Sequence, residues 1–178
     1  MHRPDEPSPG ILRRLARRRV SLGFVCGAAV LWLARPTGAT LLEGLVFVAA
    51  GEGLRIWAAG HLEKGREVTC SGPYRWLRHP LYVGSAIMGI GLAVAAASTV
   101  AALLIGLYLV VAVGAAIATE DMWLKATFGG SYDAYRAGRA ASGRHFSLKR
   151  AFVTNREYRT FAGLAAGAAL MALKALAR

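Results

Sequence analysis

Acidic residues are scarce in this chain: ten Asp and Glu stand against 22 Lys and Arg, and charged residues of both signs make up only 18%. With 55% of residues hydrophobic, that shortage of charge excludes an ordinary soluble domain. Cysteine is nearly absent. Cys26 lies in an apolar run and Cys70 in a basic loop, so no disulfide framework is expected and the redox compartment stays open. No fixed-period repeat and no low-complexity linker divides the 178 residues, which fit one domain. The basic N-terminal stretch lacks an A-x-A exit, so no cleavable signal peptide is expected. There is also no continuous basic face. The net charge of +12 is scattered between apolar runs, which argues against nucleic acid as a partner.

What the chain does have is long apolar runs. Residues 20–34 form the first, entered through Arg18 and Arg19 and ended by Arg35-Pro36. Residues 39–60 form the second, interrupted by Glu43, Glu52 and Arg55. Residues 81–119 are too long for one helix, and Ser98-Thr99 is the polar turn near their middle, so they read as a tight hairpin of a third and a fourth helix. Residues 161–177 form the fifth run, which can cross the bilayer or lie in its interface. The expected fold is all-α: a polytopic helical membrane protein with about five transmembrane helices and a central tight hairpin. It is one membrane-embedded domain over 1–178. Within it, 1–19 is a basic segment, 120–159 a cytoplasmic segment and 160–177 a C-terminal helix.

The distribution of Lys and Arg orients the spans. Six arginines (Arg3, Arg13, Arg14, Arg17, Arg18, Arg19) precede the first run. The loop 60–79 carries Lys64, Arg66, Arg75 and Arg78, and eight basic residues lie in 120–159. The connection at 35–38 has one, and the turn near 98 has none. The N-terminus and both heavy segments are therefore expected in the cytoplasm. Lys174 and Arg178 fit less well, since a fifth crossing leaves both outside. Ile11, Leu12 and Leu15 among the arginines read either as a short amphipathic helix on anionic lipid or as a topology signal alone.

Three features need a reason. Glu52 and Arg55 share a helix face inside the second run, where charge is costly and turns toward a protein interior or a polar cavity. They read as a structural ion pair or as part of a site. In the string from Gly72 to Gly84, aromatic and basic residues alternate at headgroup depth, so Tyr74 and Trp76 can be an interfacial belt. Pro80 suits a first helical turn, which puts Arg78 and His79 at a positive helix start able to hold an anion or simply to meet headgroups. Glu120-Asp121 sits where the fourth helix leaves the apolar stretch. Alone it is a solvated helix end that opposes the dipole. The hairpin arms are about equal, so a return at Ser98 brings Thr119 to Asp121 beside Arg78 to Tyr82. Basic groups and carboxylates then face each other. S-adenosylmethionine carries a carboxylate for one side, with an amine and ribose hydroxyls for the other.

The string Gly72-Pro73-Tyr74-Arg75-Trp76-Leu77-Arg78-His79-Pro80-Leu81-Tyr82-Val83-Gly84 resembles the signature of the isoprenylcysteine carboxyl methyltransferase and phospholipid methyltransferase family. Tandem acids follow one hairpin later. Leu54 to Ala58 resembles the family's preceding helix, and Phe128-Gly129, Tyr132 and Tyr135 resemble its F-G-x-x-Y-x-x-Y pattern. The likeness covers roughly 44–139. It implies an S-adenosyl-L-methionine site at Tyr74, Arg78, His79, Pro80, Tyr82, Gly84, Glu120 and Asp121, with no metal. Asp121 stands where the family more often has Glu. Two stretches depart from the pattern: Leu62-Glu63-Lys64-Gly65-Arg66 replaces a Leu-Gly-Arg, and Arg136-Ala137-Gly138-Arg139 follows Tyr135 loosely.

The function so implied is methyl transfer to a lipophilic or lipid-linked acceptor, with Arg55, His79 and Glu120 as catalytic candidates. A carboxylate acceptor needs alignment and no general base, with Arg55, Arg136 or Arg139 as its fork. An amine acceptor needs a base, for which His79 or Glu120 is placed. Two rivals stand: a non-catalytic protein that keeps the hairpin, and a membrane reductase of the sterol type, for which the chain is short. Oligomeric state is not legible.

Overall fold

The computed structural model describes residues 10–140 and 143–177. Arg3, Arg178 and the side chains of Ile11, Leu12, Arg13, Arg17 and Arg19 lie outside the described residues. Every regular element described is helical. α1 runs Gly10–Leu33 as one helix, so the basic segment leads straight into the first apolar run instead of forming a separate surface helix. α2 is Gly38–His61. Its start is closed by reciprocal bonds: Thr40 N donates to Thr37 Oγ1 at 3.2 Å, and Thr37 N to Thr40 Oγ1 at 3.0 Å. A 3₁₀ turn, Gly72–Arg75, interrupts the loop before α3, Pro80–Ala96.

Ala97 takes a left-handed conformation (φ 46°) and Ser98 caps the next helix, accepting from Ala101 N, so the hairpin turns where expected. α4, Thr99–Tyr108, continues through a π-helical turn, Leu109–Val113, into α5, Gly114–Phe128. This is a correction to the reading of the tandem acids. Glu120 and Asp121 do not end a helix; they lie inside one that stops only at Gly129 (φ 46°), and the dipole objection to them falls away. α6, Gly130–Arg136, and α7, Tyr158–Leu176, complete the chain.

Four glycines explain how α2 meets α3. Gly44 and Gly51 are two turns apart on one helix, Gly84 and Gly91 two turns apart on the other, so each pair shares a face. A Cβ on Gly51 would stand 2.6 Å from the Gly84 carbonyl oxygen, and one on Gly91 2.6 Å from that of Gly44. Small residues permit such backbone approach, and it is a main source of helix association in lipid. Small residues four apart elsewhere in the sequence, Gly23/Gly27, Ser85/Gly89 and Gly163/Gly167, behave unevenly. Gly23 meets the Tyr108 hydroxyl and Gly89 meets Leu109, whereas Gly27, Gly163 and Gly167 have nothing within 4 Å.

The helices define two ends of the bundle. The turns at 34–37 and 97–98 meet at one, where Arg35 N donates to Ala96 O. The 60–79 loop and α6 lie at the other, the loop end. Met171, the one buried residue of α7 among those described, packs at the turn end with Val30, Ala96 and Ile105. Lys174 Nζ donates there to the carbonyls of Leu31 and Trp32 at 2.6 and 2.7 Å. A cation at the last turn of α1 satisfies carbonyls that have no helical partner and complements the helix dipole. This is why a lysine tolerates the end that the charge pattern left poor. Thr99–Phe128 and Tyr158–Leu176 are long and apolar enough to cross a membrane by length and composition, while Val20–Leu33 and Pro80–Ala96 are apolar but shorter. Phe24, Trp32, Val46, Leu103 and Val110 all face outward, so the bundle is apolar on its outside.

Candidate functional site

The return of the hairpin places α5 against the start of α3. His79 caps α3 with Pro80 at its first position, and its Nε2 lies 3.0 Å from Asp121 Oδ1. The Tyr132 hydroxyl donates to the same oxygen. Tyr132 is 1% exposed, and burial, reinforced by the Asp121 carboxylate, pushes its phenol up, so it remains a donor. The His79 ring also packs on Tyr82, with ring centroids 5.9 Å apart. Asp121 is thus engaged on two sides. Glu120, the other acid, is half-buried and has no hydrogen-bond or ion-pair partner among the described residues.

Tyr74 joins the same neighbourhood from the loop. It is buried, which removes it from the expected interfacial belt; Trp76, 73% exposed against Trp57, fits that belt. Burial raises the Tyr74 phenol first, and the charge of Glu120 raises it further, so the two side chains share one field. Tyr135 donates to the carbonyls of Tyr74 at 3.0 Å and Leu77 at 3.4 Å, bracing the loop just before Arg78. Burial pushes its phenol up to about 12. Arg78 itself is exposed. The structure therefore brings together Tyr74, His79, Tyr82, Glu120 and Asp121. Gly84 stands apart from them: it is buried against α2, where a Cβ would meet Arg55 Cγ at 2.6 Å.

Arg55 is placed differently from a free carboxylate fork. Its Nη2 donates to Glu157 Oε1 and Oε2 at 2.8 and 3.0 Å, and its Nη1 to Ser85 Oγ at 2.7 Å and Leu81 O at 3.2 Å. Glu52, its expected partner, is 3.8 Å from Nε, too far for a hydrogen bond. Both Glu52 oxygens and Arg55 Nε are buried without hydrogen-bond partners among the described residues. Arg136 and Arg139, the other fork candidates, are exposed at and beyond the end of α6.

Sequence reasoning missed the strap that covers the end of α2. Glu63 accepts from Arg150 Nε at 2.8 Å and Arg144 Nη1 at 3.2 Å, and Asn155 Nδ2 donates to the carbonyls of Ala59, in the last turn of α2, and Leu62, just past its end. Glu63 belongs to the stretch that departs from Leu-Gly-Arg, and the structure gives that departure a job: it anchors residues 144–150. Beside the strap, a cavity of about 460 Å³ has Arg66, Glu67, Cys70, Phe128, Ser131 and Ala140 among its lining residues. A second, of about 240 Å³, shares Cys70 and Ala140 with it and reaches Tyr74, Arg75 and Tyr135. Of the expected donor-site residues, Tyr74 alone lines either cavity.

Residues 44–131 match the family model described as phospholipid methyltransferase. A protein-S-isoprenylcysteine O-methyltransferase of Schizosaccharomyces pombe is 33% identical over 95 residues, which is 53% of this chain and 40% of that protein. The chain thus spans well under two thirds of the length of the curated relative it matches. No solved structure matches it. The likeness carried by the Gly72 to Gly84 string is thus matched independently: residues 44–131 are similar to the phospholipid methyltransferase family, and 95 residues are similar to an isoprenylcysteine O-methyltransferase.

Proposed function

We propose, for a chain whose residues 44–131 are similar to that family, an S-adenosylmethionine-dependent methyltransferase embedded in the membrane and acting on a lipophilic acceptor. The observation that supports this reading is the 3.0 Å approach of His79 to Asp121, the neighbour in sequence of Glu120, which has no hydrogen-bond or ion-pair partner among the described residues. The groups suit the donor. Glu120 can take its amine and ribose hydroxyls, Arg78 its carboxylate at the start of α3, and Tyr82 its rings. When bound, the donor supplies a methyl group on a sulfonium for in-line displacement. The residues of the chain align the partners and shed water. Asp121 and Tyr132 hold His79 in one orientation.

A carboxylate acceptor, as the name of the yeast relative indicates for that protein, is already anionic and needs no base. Arg55 serves as its fork only if Glu157 yields, which leaves Arg136 and Arg139 as the open cations. An amine acceptor is the second reading, favoured by the His79–Asp121 contact, since a carboxylate-held imidazole is arranged as a base. The loop end faces the cytoplasm in both readings, the bundle crosses the bilayer several times, and the acceptor reaches the site from the lipid.

Titration of the detergent-solubilised protein with S-adenosylmethionine and S-adenosylhomocysteine tests the reading. His79→Ala and Glu120→Ala are each expected to weaken binding by at least about 2 kcal/mol while the fold survives. A well-folded wild type that binds neither ligand in added lipid would sink the methyltransferase reading and favour a non-catalytic protein.

A further inference from the structure

We propose that Glu157 is a positioning residue of the methyl-transfer site, holding Arg55 against the first turn of α3 and, through that turn, the Arg78 to Tyr82 string. Its functional consequence rests on the methyltransferase reading; its structural consequence does not.

The contacts run in one line. Glu157 immediately precedes α7, is 5% exposed, and is anchored by its own N–H on Ala151 O at 3.2 Å. Both its carboxylate oxygens accept from Arg55 Nη2, and Thr160 Oγ1 accepts from the same nitrogen at 3.3 Å. The other guanidinium nitrogen reaches Leu81 O and Ser85 Oγ, and Ser85 Oγ donates to Leu81 O at 3.0 Å. Leu81 lies between Pro80 and Tyr82, so these bonds close on the turn that follows His79. The Arg55 stem crosses α3 where Gly84 leaves room for it.

Glu52 shows why a second acid is needed. Its carboxylate faces Arg55 Nε at 3.8 Å, and neither group has a hydrogen-bond partner among the described residues. A buried guanidinium deprived of Glu157 would not remain uncompensated. The nearest carboxylate is Glu52, one turn back on the same helix. Turning toward it withdraws Nη1 from Leu81 and Ser85. Glu157 thus decides which way Arg55 faces, although it lies 102 residues away and outside the 44–131 family match.

The experiment uses the full chain in detergent and compares Glu157→Gln, Glu157→Asp, Ser85→Ala and the double variant Glu52→Gln/Glu157→Gln. Two quantities are read: hydrogen–deuterium exchange of a peptide covering 79–85, and S-adenosylmethionine affinity. Glu157→Gln and Ser85→Ala should each speed exchange over 79–85 and weaken the donor on the order of tenfold. Glu157→Asp should recover most of the loss, and removing Glu52 from Glu157→Gln should reverse part of it, an outcome simple loss of packing does not produce. Native exchange and affinity in folded Glu157→Gln would overturn the proposal. If that variant does not fold, Ser85→Ala, which leaves the Arg55–Glu157 pair intact, decides alone: native exchange there overturns it too. A wild type that binds no donor refutes the methyltransferase reading, and the exchange data still judge Glu157.

Discussion

α2 and α7 both connect the loop end to the turn end, and both show apolar side chains to the outside, yet they are attached by different means. α2 lies on α3 with backbone against backbone at Gly51–Gly84 and Gly44–Gly91. α7 buries Met171 alone among its described residues and is fixed near its two ends by polar contacts, Glu157 on Arg55 and Lys174 on the carbonyls of Leu31 and Trp32. In lipid, apolar side chains gain little by leaving acyl chains for one another. Association then comes from close packing, which glycine permits, or from polar groups with nowhere else to bond. The same residue type therefore means different things on the two helices: Gly44 and Gly51 on α2 are contacts, and Gly163 and Gly167 on α7 are gaps in helix propensity.

That contrast can be broken at several strengths. Gly51→Val should be the most damaging, because its Cβ meets the Gly84 oxygen and Met88 N, backbone atoms that cannot step aside. A loss of about 3 kcal/mol is expected, read as a lowered unfolding midpoint in detergent; a variant as stable as wild type would show that the seam is looser than drawn. Lys174→Met removes two charge-assisted bonds at the end of α1 and should cost about 1 kcal/mol, with faster hydrogen exchange concentrated in residues 158–176. Uniform change across the bundle would instead mean that α7 is held mainly by packing. Gly163→Ala and Gly167→Ala should do the least and in the opposite direction. Nothing stands within 4 Å of either, so each should stabilise the helix by about 0.5–1 kcal/mol; destabilisation would reveal a neighbour for this face.

Much of the bundle was legible because it is local. Ser98-Thr99 is the polar interruption of an apolar stretch, and it turned the chain there. Equal arms then required the tandem acids to return beside His79, and Asp121 stands 3.0 Å from it. The end of α5 was misread because hydropathy stops at Thr119 while helix propensity does not: Met122 to Phe128 continue the helix until Gly129 breaks it. The real glycine seam was also overlooked. Four-residue spacing within one helix is visible in a sequence, whereas the seam depends on two seven-residue spacings in different helices that must face each other. Glu52 was read as a partner of Arg55, and the two do form an ion pair at 3.8 Å, but Glu157, which takes the hydrogen bonds, was passed over as part of the cytoplasmic segment.

Composition, apolar run lengths, turn residues and the scarcity of acids determined by themselves that this is an outwardly apolar all-α chain with a hairpin whose feet gather His79, Glu120 and Asp121. The apolar outside and the helices follow from neighbours within a few turns, and the meeting at the feet from equal arms on either side of one turn. Tertiary structure alone decided that Arg55 answers to Glu157, that Tyr132 shares Asp121 with His79, and that Lys174 closes α1. A guanidinium or ammonium bonds whichever acceptor the packed helices bring within about 3 Å, and distance along the chain does not measure that.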